Sequence, residues 1–180
     1  QRAISTMANR LDIPVVSEVS TLEDGRLVNG LSKKYLRPVK SFICNSKFIA
    51  DNLHIPKEIK STLYYGYQWK GLQPQIRQKT NPFHVVLLGR ISKSKGHFLL
   101  VEAMKVLREK TEKKIKIFFI GDAPDKKTEQ AIKKKINAYG LQKFFVFRGF
   151  QRDISKELSD KNIMVIPSMF EPFGRIFCET

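Results

Sequence analysis

From Asn81 onward the chain repeats one unit: a short apolar run, a glycine-bearing polar turn, then a longer amphipathic stretch. His84-Val85-Val86-Leu87-Leu88 is brief and β-branched, as a buried strand requires. His97 to Glu109 places Phe98, Leu99, Val101, Ala103, Met104 and Leu107 at helical spacing. Ile115 to Ile120 is a second strand ended by Gly121-Asp122. Pro124 to Tyr139 is a second helix, closed by Gly140 in the C′ place. Phe144 to Phe147 is a third strand, Asp153 caps a short helix reaching about Asp160, Ile163 to Ile166 is a fourth strand, and a further helix starts at Phe173 with Pro172 in its first turn. Strands alternating with helices across short connections leave few folds open. The expectation is an α/β chain with a Rossmann-like parallel sheet covered by helices on both faces, joined by right-handed crossovers. Ligands of such sheets bind at the carboxyl ends of the strands. Here those ends are the Gly89–Gly96, Gly121–Pro124, Gly149–Asp153 and Pro167–Gly174 loops.

Residues 1–80 are less regular. Arg2 to Leu11 reads as helix, Ile13 to Val16 as strand and Leu27 to Leu36 as helix. Phe42 to Asn45 is a strand followed by a helix from Ser46, capped at its start by Ser or Asn, and Thr62 to Tyr65 is another strand. Gly66 to Pro82 mixes Gly, Pro, Gln and Trp without periodicity and reads as a linker. The expected domains are therefore 1–80, part of a second Rossmann-like domain plus linker, and 81–180, a C-terminally incomplete ligand-binding domain. The chain starts without Met and stops inside an expected helix, so it reads as a fragment.

Net charge narrows the partner. Thirty-three Lys and Arg stand against seventeen Asp and Glu, a balance of +16. That favours an anionic partner: a phosphorylated substrate, an acidic membrane or nucleic acid. Lysine on solvated helix faces, as at Lys133-Lys134-Lys135, accounts for part of it. The aromatics sit in apolar strand runs rather than in a nucleic-acid motif, which weakens the last option. No run of about 18 apolar residues and no signal peptide is present, so a cytoplasmic chain is expected, at most peripheral to the inner face of a membrane. Cys44 and Cys178 lie in apolar context, as reduced buried thiols do, and no Cys/His spacing suits zinc. His54, His84 and His97 are scattered and read as structural.

Two loops carry chemistry. In Gly89-Arg90-Ile91-Ser92-Lys93-Ser94-Lys95-Gly96 two cations sit at a strand's carboxyl end, just ahead of a helix N-terminus. Arginine offers phosphate a planar fork and lysine a point charge. The loop has neither the Gly-Lys-Ser/Thr ending of a Walker loop nor a Gly-x-Gly-x-x-Gly fingerprint. In Pro167-Ser168-Met169-Phe170-Glu171-Pro172-Phe173-Gly174-Arg175-Ile176-Phe177-Cys178-Glu179 two carboxylates lie eight positions apart. Ionised Glu only accepts hydrogen bonds, so both suit hydroxyl-rich ligands. Along a helix they span on the order of 10 Å. A ligand with hydroxyls at both ends and phosphate between is a nucleotide sugar.

Gly89-Arg90…Lys95-Gly96, Gly121-Asp122-Ala123-Pro124 and Pro167-Ser168…Glu171-x-Phe173-Gly174…Glu179 together resemble the C-terminal domain of family 4 retaining glycosyltransferases, over about residues 83–180. Ile43 to Phe48 and Tyr64-Tyr65-Gly66 resemble the later half of that family's N-terminal domain. The resemblance implies the GT-B fold, with two Rossmann-like domains, and transfer of a sugar from a UDP-, GDP- or ADP-sugar with retention of configuration. It implies a glycan or lipid-linked acceptor, a role in cell-surface polysaccharide or lipopolysaccharide synthesis, no divalent metal and no nucleic acid. By position, Arg90, Lys95, Phe173 and Gly174 would hold the donor's diphosphate. Glu171 would meet the donor sugar at the catalytic centre, Glu179 the ribose, and Arg148 and Phe150 the base. One departure stands out: many relatives place a His after the segment matching Ile13 to Val16, where this chain reads Ser17-Glu18-Val19-Ser20. The competing expectations are a basic nucleic-acid-binding module and a GT-B nucleotide-sugar epimerase.

Overall fold

The computed structural model describes residues 6–8, 10–66, 81–174 and 176. The chain divides into two compact units, one of residues 1–69 with 172–175 and one of 70–171 with 176–180.

In the first unit the strands β1 (Val15–Val19), β2 (Val39–Cys44) and β3 (Lys60–Thr62) form a parallel sheet in the order β1-β2-β3. Residues 6–8 and 10 are helical. The expected helix over Leu27–Leu36 is instead two, α1 (Leu22–Asn29) and α2 (Lys33–Leu36). The start moves back because Thr21 and Asp24 form a reciprocal capping box, and Gly30 ends the first helix. Of the two expected cap residue types, Ser46 caps helix α3 (Lys47–Asp51), its hydroxyl accepting from the Ile49 N–H. Strand β3 lies earlier than Thr62 to Tyr65, because its partner β2 ends at Cys44, opposite Thr62. Val19, Val28, Phe42, Cys44, Ile49 and Leu53 form this unit's core. Burial pushes the Cys44 thiol pKa up, so it packs as an apolar group. The expected linker falls mostly outside the described residues.

The second unit holds β4 (Phe83–Leu88), β5 (Ile115–Ile120), β6 (Phe145–Gly149) and β7 (Ile163–Met164), all parallel, in the order β6-β5-β4-β7. Helices α4 (His97–Lys110), α5 (Lys126–Ala138) and α6 (Ile154–Leu158) connect them. Asp125 and Asp153 cap α5 and α6, and Gly140 takes its left-handed place after α5. Alternation along each strand feeds two cores. Leu87, Ile117 and Phe119 face Val101, Met104, Ile132 and Ile136 of α4 and α5. Val86 and Ile120 face Leu158 of α6 on the other side. Each such side chain contributes about 1.5–3 kcal/mol by leaving water, so the alternation fixes the strand faces. The fourth strand is shorter than Ile163 to Ile166: its ladder closes with the Val165 N–H on the Val86 carbonyl, and Pro167 has no N–H to extend it.

The strand order carries the functional consequence. The chain builds outward from β4 through β5 to β6, then returns to the other side of β4 with β7. Between the adjacent strands β4 and β7, where the strand order reverses, lies the switch point where open α/β sheets hold ligands.

Candidate functional site

Glycines let the carboxyl-end loops pass through one another's space. Gly121 has φ +145°, and a Cβ there would stand 2.1 Å from the Gly89 carbonyl oxygen. Gly96 has φ +79°, and its Cβ would stand 2.3 Å from the Pro167 carbonyl oxygen. Both distances lie far inside van der Waals contact, so both positions demand glycine. Backbone bonds tie the same loops: Gly89 N–H to the Ile120 carbonyl at 2.8 Å, Ile91 N–H to Asp122 at 2.7 Å, Gly121 N–H to Gly149 at 2.8 Å and Met169 N–H to Ser94 at 2.8 Å. The sequence marked these glycines as turn residues. The contacts that lock the β4 loop to the β7 loop, Met169 N–H on the Ser94 carbonyl and Gly96 against Pro167, could be signalled only by Pro167 ending an apolar run.

This lock brings two of the expected site residues together. The Lys95 Nζ lies 2.6 Å from Glu171 Oε2, with the side chains 25% and 22% exposed. A cation suited to phosphate and a carboxylate suited to a hydroxyl thus share the mouth of the switch point. Arg90, from the same loop, is exposed.

His97 was read only as structural, and the structure gives that role a definite form. It is fully buried at the first position of α4, with its ring edge-on to Phe119 at 4.8 Å. Its Nδ1 lies 3.3 Å from the Ser92 carbonyl oxygen. A carbonyl only accepts, so Nδ1 carries a proton. Its Nε2 finds no hydrogen-bond partner among the described residues. Burial away from water drives the His97 pKa down to about 4; the Ser92 bond opposes this and Lys95 adds to it. His97 therefore tethers the middle of the Arg90–Lys95 loop from beneath without adding charge.

The other expected residues are spread out. Arg148 lies one residue from the end of β6, two strands from β4 and about 10 Å away at ordinary strand spacing. Its guanidinium grips Glu157 with both arms, Nη2 to Oε1 at 2.7 Å and Nε to Oε2 at 3.1 Å. The Arg148 bond holds the Glu157 carboxyl below its usual range. Phe150 is 69% exposed. Phe173 and Gly174 belong to the first unit, where the Phe173 ring stands 5.2 Å from Tyr65, edge-on, and 6.2 Å from Tyr64. The expected helix from Phe173 begins later: Pro172 to Gly174 are not helical, Gly174 has φ +75°, and among the described residues that follow Ile176 is helical. A left-handed glycine cannot continue a right-handed helix without breaking its hydrogen bonds. Glu179 lies outside the described residues. Within Ser17-Glu18-Val19-Ser20, Glu18 on β1 accepts a 2.5 Å hydrogen bond from Tyr65 Oη, which raises the phenol's pKa.

The family model for glycosyl transferases group 1 matches residues 71–180, more than half of the chain. The chain belongs to that family. Solved structures agree on the fold. Anabaena Alr3699/HepE, crystallised in complex with UDP and glucose, superposes with a TM-score of 0.79 at 21% identity, covering 97% of this chain and 52% of its own. A glycosyltransferase from Rickettsia africae gives 0.62 at 14%, covering 94% and 55%. WaaG, a glycosyltransferase involved in lipopolysaccharide biosynthesis, gives 0.63 at 16%, covering 92% and 54%. The GT-B architecture is therefore the fold of this group 1 chain, which spans about half the length of these structures. No curated protein matches it.

Proposed function

We propose that the protein containing this chain transfers a sugar, with retention of configuration, from a nucleoside diphosphate sugar to a glycan or lipid-linked acceptor in cell-surface polysaccharide or lipopolysaccharide synthesis. The observation that carries the reading is the Lys95–Glu171 pair at the switch point. Lys95 and the nearby Arg90 would receive the diphosphate, supported by the free N–H groups at the start of α4. They would stabilise the negative charge of the departing nucleotide without a divalent ion. Glu171 would turn from Lys95 to a hydroxyl of the donor sugar, and the Phe173-Gly174 backbone would line sugar and phosphate. Glu179 would accept from the ribose hydroxyls. The base would lie toward the end of β6, where the exposed Phe150 ring offers a stacking face and Arg148 is already held in place. Leaving-group departure and acceptor attack would occur on one face of the sugar, which preserves its configuration.

The charge and the pairing fit a cytoplasmic protein working at an acidic membrane surface. Among the described residues no helix is long and apolar enough to cross a membrane. The nucleic-acid reading loses its aromatic support, because Phe145 is buried and Phe144 and Phe147 pack against the same core.

The test is a thermal-shift panel of UDP, GDP, ADP and their sugars on folded protein. UDP compounds come first, because Anabaena HepE was crystallised with UDP. At least one nucleotide sugar should raise Tm, with and without EDTA, and Arg90→Ala and Glu179→Ala should each weaken that shift. No response to any compound would end the donor-site reading. Product analysis without acceptor separates the epimerase, which would release an epimerised nucleotide sugar.

A further inference from the structure

At the opposite end of the second sheet, a groove of about 530 Å³ opens among Pro82, Met104, Arg108, Thr111, Glu112, Lys113, Lys114, Ile115, Lys116, Lys143 and Phe144. Most of these residues precede β4, β5 and β6, start β5 or follow the last turns of α4, so the groove lies at the amino ends of the strands, away from the donor loops. Its floor is apolar: Met104 and Ile115 are buried, and Phe144 is half-buried. Its wall carries five cations and one carboxylate.

Several cations elsewhere on this unit are neutralised. Lys95 pairs with Glu171, Lys126 and Lys133 with Glu129, Lys135 with Glu102, and Arg148 with Glu157. Among the described residues, none of the groove's five cations pairs with a carboxylate. Lys116 donates to the Lys143 carbonyl at 2.6 Å, and the Arg108 and Lys143 head groups lie 5.9 and 5.2 Å from the centre of the Phe144 ring. The negative end of the α4 dipole accounts for Arg108. It does not account for Lys116 and Lys143, which come from other elements. Large apolar side chains are exposed beside the groove: Phe83 at the start of β4 is 39% exposed, and Leu107, one turn beyond Met104, is 40% exposed.

We propose that this groove docks the chain on an anionic lipid surface, its five cations meeting lipid phosphates and Phe83 and Leu107 entering the headgroup region. Unpaired lysines around an apolar floor, flanked by exposed apolar side chains, match a bilayer interface, which is anionic outside and apolar within. They match a nucleic acid less well, because stacking bases needs exposed ring faces, and Phe144 within the groove is half-buried against two cations while the partly exposed Phe83 lies beside it. The proposal gives a location to the acidic membrane surface expected above, but it does not depend on the donor site, which lies at the other end of the strands.

The experiment is co-sedimentation of the 180-residue chain with vesicles of phosphatidylcholine containing about 30% phosphatidylglycerol, an anionic surface of the kind that attracts polybasic segments. The groove variant Lys113→Glu/Lys114→Glu/Lys143→Glu is compared with Lys127→Glu/Lys134→Glu/Lys156→Glu, a charge-matched control on exposed faces of α5 and α6. The groove variant should lose at least about tenfold in vesicle affinity, while the control stays within about threefold of the parent chain. Leu107→Ser should weaken binding at raised salt, where the apolar contribution dominates. Circular dichroism and the nucleotide-sugar thermal shift should be the same in all variants, which keeps failure of this proposal apart from failure of the donor reading. Equal losses in the two triple variants would mean that binding follows net charge, and would overturn the proposal. So would no vesicle binding by the parent, or a stronger effect of the groove variant on single-stranded DNA than on vesicles.

Discussion

Acidification should destabilise the second unit through His97 before most carboxylates titrate. The native ring is neutral, sealed at the base of the Arg90–Lys95 loop, with a pKa of about 4 against an ordinary value of 6.5. The unfolded chain therefore binds this proton near pH 6.5, and the native state refuses it until about pH 4. In that window the unfolded state carries more protons, so stability falls as pH falls, and it levels off below the native pKa. A shift of about 2.5 units at 1.36 kcal/mol each amounts to roughly 3 kcal/mol lost between pH 6.5 and 4. Against a typical domain stability of 5–15 kcal/mol that is a large share.

Urea unfolding at half-unit steps from pH 7.5 to 4 measures this directly. The comparison is His97→Asn, whose amide can donate toward the Ser92 carbonyl but cannot titrate. Lowered carboxylates such as Glu129 and Glu157 lose stability as pH falls in both proteins, so the difference between the two curves isolates His97. The parent should fall more steeply than the variant below pH 6.5, the gap growing to roughly 3 kcal/mol by pH 4. Parallel curves, or a native His97 titrating near 6.5 by NMR, would refute the buried neutral tether.

Other outcomes follow from the same geometry. Gly96→Ala should cost at least about 1–3 kcal/mol by chemical denaturation, because it adds left-handed strain to a Cβ clash with Pro167; a fall below a few tenths would mean the loops are not locked. Glu171→Gln should change stability by less than about 1 kcal/mol, since a partly exposed pair contributes little, yet it should lower nucleotide-sugar affinity in titration calorimetry. Glu157→Gln should leave the fold intact but free Arg148, so any nucleotide Tm shift should fall. Phe119→Ala, emptying the centre of the sheet, should cost about 3–5 kcal/mol.

The fold was legible because the second unit's signals are local. Ile115 to Ile120 is a short apolar run closed by Gly121-Asp122, Gly140 stops α5 and Asp153 starts α6, and each rule acts within a few residues. Boundaries went astray where a distant partner decided them. Strand β3 ends where β2 ends, and β7 is short because Pro167 interrupts the ladder. The early start of α1 was readable from Thr21 and Asp24, and was missed. At the site, Arg90, Lys95 and Glu171 announced themselves by charge in loops. His97 did not: a histidine heading an amphipathic helix says nothing of a carbonyl five residues earlier that fixes its tautomer. Nor does spacing alone show that Gly96 must pass Pro167 at contact distance, since that depends on β4 and β7 being neighbours.

Pairing between Lys95 and Glu171 also constrains how a donor could enter. Both groups are matched to a ligand's chemistry, but in this structure each satisfies the other at 2.6 Å. Such a pair, roughly a quarter exposed, contributes no more than about 1 kcal/mol, so a diphosphate bearing two charges can displace Glu171 from Lys95 at small cost. The displaced carboxylate then needs an acceptable partner, and the sugar hydroxyls attached to that diphosphate supply one. A bare nucleoside diphosphate takes Lys95 but leaves Glu171 without a donor group, whereas a nucleotide sugar satisfies both. Glu171 should therefore favour the intact donor over the product. In the Glu171→Gln variant, whose amide can donate as well as accept and carries no charge to oppose phosphate, that preference should narrow, with nucleoside diphosphate affinity falling less than nucleotide-sugar affinity. Equal losses for both ligands would show that Glu171 acts only by orienting Lys95.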